Sequence, residues 1–184
     1  MLSLIFILTT TAYGAAPQGP VFADKNLEAA VREAVGKDTG VLTQADVQGI
    51  AKLDAYNKGI TNLKGIEALT NLTALRLERN RISDLTPLAT LTTLGLLYLY
   101  ANQISDVVPL AGLKGLTWLV LGQNKISDVK PLAGLKSLTR LDLSQNKLVN
   151  VKPLAGLKGL TELDLTGNRI TDFSPVAGLK GVQR

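Results

Sequence analysis

Asp142, Glu162 and Asp164 form the one cluster of acids in this sequence that could act together in acid–base chemistry. Asp142 and Asp164 stand 22 residues apart. If the fold placed such acids on neighbouring strands, their separation of roughly 5 Å would be that of the two carboxylates in retaining glycosidases. The sequence contains no Cys and no His, which excludes thiol nucleophiles, the commonest general base, disulfides and nearly every transition-metal site. The chemistry of the acids therefore depends on the elements that hold them.

Those elements belong to a strict repeat that begins at Leu72. A typical unit reads L-x-x-L-x-L-x-x-N-x-I-x-D-x-x-P-L-A-x-L-x-x, and no insertion interrupts the series. Residues at one position of successive units form a column with a spacing of 22. The asparagine column consists of Asn80, Asn102, Asn124, Asn146 and Asn168.

Each part of the unit has a structural interpretation. The two leucines of L-x-L share one face of a short strand, and the residue between them faces the other way. The Asn amide can bond backbone groups of its own and neighbouring coils that would otherwise be buried unpaired. Pro suits the first position of a short helical turn, since its missing N–H is not needed there. The repeat therefore predicts an α/β solenoid with parallel strands on one side and 3-10 or irregular turns on the other.

The segment before the repeats predicts a helical cap. Asp24 can begin a helix that runs to about Val35 and ends at Gly36, with an apolar face that includes Ala34. Thr43 can begin a second helix. The first repeat is degenerate, with Lys58 in the asparagine column, as is usual for terminal repeats.

The 22-residue unit, the S-D-x-x-P-L-A-x-L step and the phrases F-A-D-K-N-L-E-A-A-V and L-T-Q-A-D-V resemble the internalin-type leucine-rich repeats of bacterial surface proteins. The resemblance covers residues 21–184. It implies a curved solenoid whose concave sheet binds host or envelope proteins, often within a longer surface-anchored chain. The sequence lacks an immunoglobulin-like cap and a Leu-Pro-x-Thr-Gly wall signal, and it stops inside a repeat, so we expect either a fragment or an open last coil.

We predict a signal peptide at residues 1–16, a helical cap at 17–51 and about six leucine-rich repeats at 52–184, with an incomplete last repeat. A mainly apolar run of seven residues, Leu2 to Leu8, precedes small residues near Gly14, which is typical of a signal peptide although no basic residue precedes it. A stray core segment is the alternative. The run is far shorter than the ~20 residues of a membrane span. The predicted location is outside the cell or at its surface.

Within each strand the variable positions lie on the concave face. Five large side chains occupy adjacent positions there, and we call them the aromatic patch: Leu96, Tyr98, Tyr100, Trp118 and Val120. Exposed patches rich in Tyr and Trp are typical of binding hot spots, although they could also be scattered surface aromatics. We predict that the patch binds a protein ligand together with five flanking residues: Tyr56, Arg76, Arg140, Asp142 and Glu162.

Other charges allow further interpretations. Lys114, Lys136, Lys158 and Lys180 form a column on the turns behind the sheet, and Lys130 and Lys152 form a second one. These columns either aid solubility or attract an anionic envelope polymer or glycan. A further alternative is that the chain is a scaffold segment of a larger surface protein. Nucleic acid is not a predicted partner, since basic and aromatic residues are not interleaved. Asp84, Asp106, Asp128 and Asp172 form a column that suggests turn capping rather than calcium binding. No cofactor, metal or catalytic residue is predicted, because an open sheet offers the acids no cleft.

Overall fold

Each repeat forms one three-residue strand and one 3-10 segment, and this confirms the predicted leucine-rich-repeat solenoid. The computed structural model describes residues 19–184, and the predicted signal peptide lies outside them. Seven parallel strands form one sheet in chain order. The strands are β1 Lys52–Asp54, β2 Ala74–Arg76, β3 Leu96–Tyr98, β4 Trp118–Val120, β5 Arg140–Asp142, β6 Glu162–Asp164 and β7 Val182–Gln183. The 3-10 segments are Ile66–Ala68, Thr86–Leu88, Val108–Gly112, Lys130–Gly134, Lys152–Gly156 and Ser174–Val176.

The register of the sheet follows the 22-residue period from β1 to β6, so that Leu97 pairs with Leu119 and Leu119 with Leu141. The last step departs from it. Leu163 pairs with Val182, 19 residues later, so the final strand forms three residues earlier than the period predicts. Gly181 permits this, because its φ is +62° and a Cβ there would lie 1.9 Å from the Thr161 carbonyl oxygen.

The core is a stack of aliphatic side chains. The middle residue of each of the first six strands is buried, while its two neighbours are exposed or half-buried. Burial of each leucine stabilises the fold by about 1.5–3 kcal/mol before its loss of conformational entropy is counted. The scaffold is therefore held from inside, and the opposite side of every strand is available for other roles.

Two helices cover the first coil, α1 at Lys25–Val35 and α2 at Gln44–Gln48. Helix α1 begins after Asp24 and ends at Gly36, whose φ is +65°, as predicted. The expected apolar face was wrong at Ala34, which is exposed, because Val35 instead packs against the core in the last turn. The division of the chain into domains at residues 17 and 52 stays a prediction.

Asp24 ties α1 to the first coil. One carboxylate oxygen accepts from the backbone N–H groups of Asn26 and Leu27, at 2.9 and 3.3 Å. The other accepts from the N–H and hydroxyl of Thr61 and from the Asn62 N–H. Burial raises the pKa of Asp24, but these hydrogen bonds outweigh it and hold the pKa below its usual value.

Asp46 closes the start of α2. Its Oδ2 accepts from Lys37 Nζ at 2.7 Å, and from the N–H and hydroxyl of Thr43 at 2.6 and 2.8 Å. The bond from Lys37 and those from Thr43 lower the pKa of Asp46 to about 2 from an ordinary value of 3.8. A carboxyl with a depressed folded-state pKa stabilises the fold fully above its unfolded pKa.

We expect Asp46→Asn to lower the urea midpoint of unfolding at neutral pH. The difference from the parent should shrink as the pH falls from about 4 to about 2, because the parent then loses the charge that the variant lacks. Urea titrations at neutral pH and at pH about 2 measure it. Asp38→Asn, at an exposed position, serves as the control. An unchanged difference between parent and Asp46→Asn at the two pH values would contradict the assignment.

No helix within residues 19–184 combines the length and apolar character needed to cross a bilayer.

Candidate binding site on the sheet face

The solvent side of the seven-stranded sheet, here called the sheet face, carries the first and third residues of β1 to β6 and Gln183 of β7. Parallel pairing in register places Leu96 beside Trp118, and Tyr98 beside Val120. Trp118 in turn lies beside Arg140. The repeat therefore converts residues that are 22 apart in sequence into neighbours about 4.8 Å apart.

The aromatic patch lies in the middle of this face. The rings of Tyr98 and Trp118 are 5.3 Å apart between centroids, at an interplanar angle of 61°. Such edge-to-face pairs contribute about 0.5–1.5 kcal/mol beyond their buried area. Leu96, Tyr100 and Val120 are half-buried like the two rings. Tyr100 lies two residues after Tyr98, the last residue of β3. The two central rings are thus in contact with each other and partly open to solvent.

Arg140 borders the patch on its C-terminal side. Its guanidinium carbon lies 4.6 Å from the centroid of the Trp118 ring, and its Nε lies 3.2 Å from Glu162 Oε1. The Arg140 guanidinium therefore makes a cation–π contact with the Trp118 indole and an ion pair with the Glu162 carboxylate. The sequence had placed all three residues on this face, but it did not indicate that they form one chain of contacts.

Arg76 plays the corresponding part on the N-terminal side. Its guanidinium lies 5.7 Å from the Tyr56 ring centroid and pairs with Asp54 at 3.0 Å and Glu78 at 3.2 Å. Hydrogen bonding and attraction to Glu78, with further attraction to Asp54, raise the pKa of Arg76. Within the described chain Glu78 Oε2 is buried without a hydrogen-bond partner. Arg76 itself is the register partner of Tyr98 on the next strand.

Two shallow, half-open recesses border the aromatic patch on the open sheet. One has a volume of about 320 Å³ and is lined by Lys52, Leu53, Asp54, Ala74, Arg76, Leu96 and Tyr98. The other has a volume of about 230 Å³ and is lined by Trp118, Val120, Arg140, Leu141, Asp142, Glu162, Leu163, Asp164 and Gln183.

The second recess, here called the acidic recess, contains the acids with which the sequence analysis began. Asp142 and Asp164 are Cα partners on β5 and β6. Asp142 Oδ1 accepts from the Ser144 N–H at 2.8 Å, and Asp164 Oδ1 accepts from the Thr166 N–H and hydroxyl. Gln183 was missed, because the period placed no strand at that position.

A family model described as leucine rich repeat matches residues 102–148 and 114–170. The solved structure of an internalin C2 from Listeria monocytogenes str. 4b F2365 is 36% identical, with coverage of 91% of this chain and 96% of that chain and a TM-score of 0.54.

The chain belongs to the internalin-type leucine-rich-repeat proteins.

Two further internalins are similar to this chain. The crystal structure of an internalin (inlF) from the same Listeria strain has a TM-score of 0.86 at 35% identity, covering 94% of this chain and 52% of that one. Internalin H of Listeria monocytogenes serovar 1/2a (strain ATCC BAA-679 / EGD-e) is 41% identical over 65 residues, 34% of this chain and 12% of that protein. The chain therefore spans about half of the inlF structure, and its match to Internalin H spans about an eighth of that protein.

The asparagine column supports the sheet face of this internalin-type chain from below. Asn124 Nδ2 donates to the carbonyls of Leu99, Leu121 and Gly122 at 3.0–3.1 Å, and its Oδ1 accepts from the Ile104 N–H at 3.0 Å. Each Asn therefore joins its own coil to the preceding one. Four members, Asn80, Asn102, Asn124 and Asn146, are buried, and Asn168 is half-buried.

The aspartate column closes the 3-10 turns. Asp84, Asp106, Asp128 and Asp172 each accept a bond of 2.8 Å from the N–H two residues later. Bonds from Thr86 lower the pKa of Asp84, and bonds from Ser174 lower that of Asp172. Asn150 makes the equivalent bond to Lys152 N–H at 2.9 Å, although it carries no charge. These bonds favour the turn-capping interpretation over calcium binding.

The lysine column lies on the turns, and one of its members bridges two coils. Lys136 Nζ donates to the Gly156 carbonyl at 3.1 Å, where a 3-10 segment ends. A cation near the last carbonyls of a helical turn is favourable. Lys114 Nζ lies close to Gly134, since a Cβ there would be 2.7 Å from it. Lys136 therefore has a structural explanation of its own.

Proposed function

We propose that this chain is a non-enzymatic recognition module, acting outside the cell or at its surface, that binds a protein ligand through the aromatic patch. The observation that carries the proposal is the contact between Tyr98 and Trp118 on the sheet face. Their rings touch each other, remain half-exposed, and make no contribution to the leucine core. A fold stabilised by buried leucines does not need them, so their presence is better explained by a ligand.

The surroundings of the patch support a protein as the ligand. Charged groups lie on both sides of it, Arg76 with Asp54 and Glu78 on one side and Arg140 with Glu162 on the other. An apolar aromatic centre with a charged rim is the usual anatomy of a protein interface. Aromatic and Arg side chains are also the residues that most often dominate binding energy.

Membership of the internalin-type proteins supports the same proposal, including its location at or beyond the cell surface and the absence of catalysis. The rival hypothesis is an envelope protein that binds an anionic polymer or glycan through the lysine column. The hydrogen bond of Lys136 to Gly156 weakens it at that position, because a lysine engaged by the protein itself is less available to a polymer.

The test is affinity capture from a cell-surface protein extract, with the immobilised parent chain compared with a Tyr98→Ser/Trp118→Ser double variant. We expect at least one protein to bind the parent and not the variant. Lys114→Gln/Lys158→Gln is the matched control and should retain that protein. Retention by both aromatic and lysine variants, or loss in the lysine variant alone, would contradict the proposal.

Salt concentration distinguishes the two hypotheses independently. A complex that depends on buried aromatic rings should weaken by about fivefold at most between low and high salt, because apolar burial is not screened. Binding through the lysine column should fall steeply over the same range. The dissociation constant of the captured protein, measured at both salt concentrations, decides between them.

A further inference from the structure

We infer that the acidic recess receives a basic side chain, arginine or lysine, from an extended segment of the protein partner. The inference rests on the proposed function, because the recess shares Trp118 and Val120 with the aromatic patch. It goes further in naming the charge and shape of the group that the partner must present. Three properties of the recess carry it: its unbalanced charge, its mixed walls and its size.

The charge of the recess is not balanced by the protein itself. Arg140 pairs with Glu162 at 3.2 Å and stacks on Trp118 at 4.6 Å, so its guanidinium is engaged on both sides. Within residues 19–184 neither Asp142 nor Asp164 has a Lys or Arg nitrogen within 4.0 Å. Two carboxylates thus remain without a partner cation.

These two carboxylates also stand directly beside each other. They are Cα partners on adjacent parallel strands, where like charges are destabilising. Both are half-buried, so water screens their repulsion incompletely. The backbone bonds that each accepts at Oδ1 could equally be accepted by the amide oxygen of Asn. Turn capping therefore explains an oxygen at these positions but not a charge.

The walls and the size of the recess fit the stem of a basic side chain. Trp118 and Val120 form an apolar wall, and Asp142, Glu162 and Asp164 provide the acidic groups. Lys and Arg side chains combine an aliphatic stem with a charged end, and they bury the stem along apolar surface. A volume of about 230 Å³ suits one side chain rather than a larger organic ligand.

The site adjoins the aromatic patch, which indicates how the rest of the segment would lie. A basic residue placed between Asp142 and Asp164 has Val120 and Trp118 on its N-terminal side, and Tyr98 one strand further. Apolar residues next to the basic residue would therefore meet the patch. The matching sequence in the partner is a basic residue flanked by apolar ones in an extended conformation.

The test uses Trp118, which is the single Trp of the protein, as its own reporter. The probe is the capped peptide acetyl-Leu-Arg-Leu-amide, and the matched control peptide replaces Arg with citrulline, which has the same shape without the charge. We expect the arginine peptide to change Trp118 emission saturably, with a dissociation constant about fivefold lower than that of the citrulline peptide. An Asp142→Asn/Asp164→Asn double variant should bind both peptides equally.

Three outcomes would overturn the inference. They are equal binding of the two peptides to the parent, no saturable response to the arginine peptide, and a preference for arginine that survives in the double Asn variant. A saturable response of Trp118 to calcium chloride, abolished in the same variant, would also overturn it by assigning the recess to a metal ion.

A melting temperature of the Asn double variant at or above that of the parent supports the inference, because like-charge repulsion is then relieved. A clear decrease would show that the carboxylates serve the fold and would count against it. If a captured partner depends on Tyr98 and Trp118 but binds the double Asn variant as well as the parent, the proposed function stands and this inference fails. Loss of patch-dependent capture, with arginine-selective peptide binding retained, is the reverse case.

Discussion

Asn124→Ala is expected to lower the free energy of unfolding by about 2–3 kcal/mol, the largest loss of stability that we predict for a single polar side chain. The reason is that, among residues 19–184, the N–H group bonded to Asn124 has no other acceptor, whereas the carbonyls bonded to it have other donors. The Ile104 N–H has Asn124 Oδ1 as its hydrogen-bond acceptor and is buried. Removal of the amide leaves that donor unpaired in the core.

The carbonyl partners of Asn124 are better protected. Leu99 O also accepts from Asn102, Leu121 O also accepts from Asn146, and Gly122 O also accepts from the Ala101 N–H. The loss of stability therefore comes mainly from the Ile104 N–H, which is left without an acceptor, and from a small cavity. In a solenoid this defect in a central coil weakens both neighbouring interfaces.

Two matched variants sharpen the measurement by urea titration. Asn168→Ala removes the same kind of amide at a half-buried position, where water can more easily replace the lost amide, so its loss of stability should be smaller. Asn124→Asp keeps the shape and the acceptor but places an oxygen against three carbonyls, so it should destabilise at least as much as Ala. A parent-like unfolding midpoint for Asn124→Asp would show that the donor side of the ladder contributes nothing.

Trp118→Ala is expected to weaken binding of the captured partner by at least about tenfold, or about 1.4 kcal/mol. Truncation removes the indole that contacts Tyr98, supports Arg140 and forms one wall of the acidic recess. Its effect on stability should be smaller, about 1 kcal/mol or less, because the ring is half-exposed and its contacts lie on the surface. Dissociation constants and urea midpoints of the same preparations provide both numbers.

Phe173 offers a control of the same chemistry outside the sheet face. Arg184 stacks on its ring at 5.3 Å, as Arg140 does on Trp118, but Phe173 packs against the core beside the last 3-10 segment. Phe173→Ala should therefore reduce stability and leave affinity unchanged. The role of Trp118 is refuted if its truncation lowers affinity only in proportion to the lost stability, or if Phe173→Ala weakens binding equally.

The structure agrees best with the sequence-based predictions at the positions that follow the repeat. The strand register, the buried leucines, the bonds of the asparagines and the start and end of α1 follow from local patterns. A period of 22 leaves one way to stack successive coils, because each leucine must return to the core. The same argument put Tyr98, Trp118 and Arg140 on one face before any coordinates were known.

The positions that depart from the pattern needed the structure. Residues 57, 79, 101, 123, 145 and 167 all have positive φ, yet Gly167 is the one glycine among them, so the sequence hardly signals this column. The early seventh strand, which brings Gln183 to the acidic recess, depends on the fit of Gly181 against Thr161 and has no counterpart in the period.

The sequence by itself determined the scaffold and the list of side chains free to bind, because repetition fixes the direction of every residue in every coil. Only the tertiary structure decided which of those side chains form ion pairs or stack on one another. Arg140 pairs with Glu162 and stacks on Trp118, and among residues 19–184 no Lys or Arg nitrogen lies within 4.0 Å of Asp142 or Asp164. Such choices depend on rotamers and on distances of a few ångströms between strands, which a one-dimensional pattern does not contain. Asp142 and Asp164 lie side by side on adjacent strands, and their position is the basis of our inference that a partner supplies the matching cation.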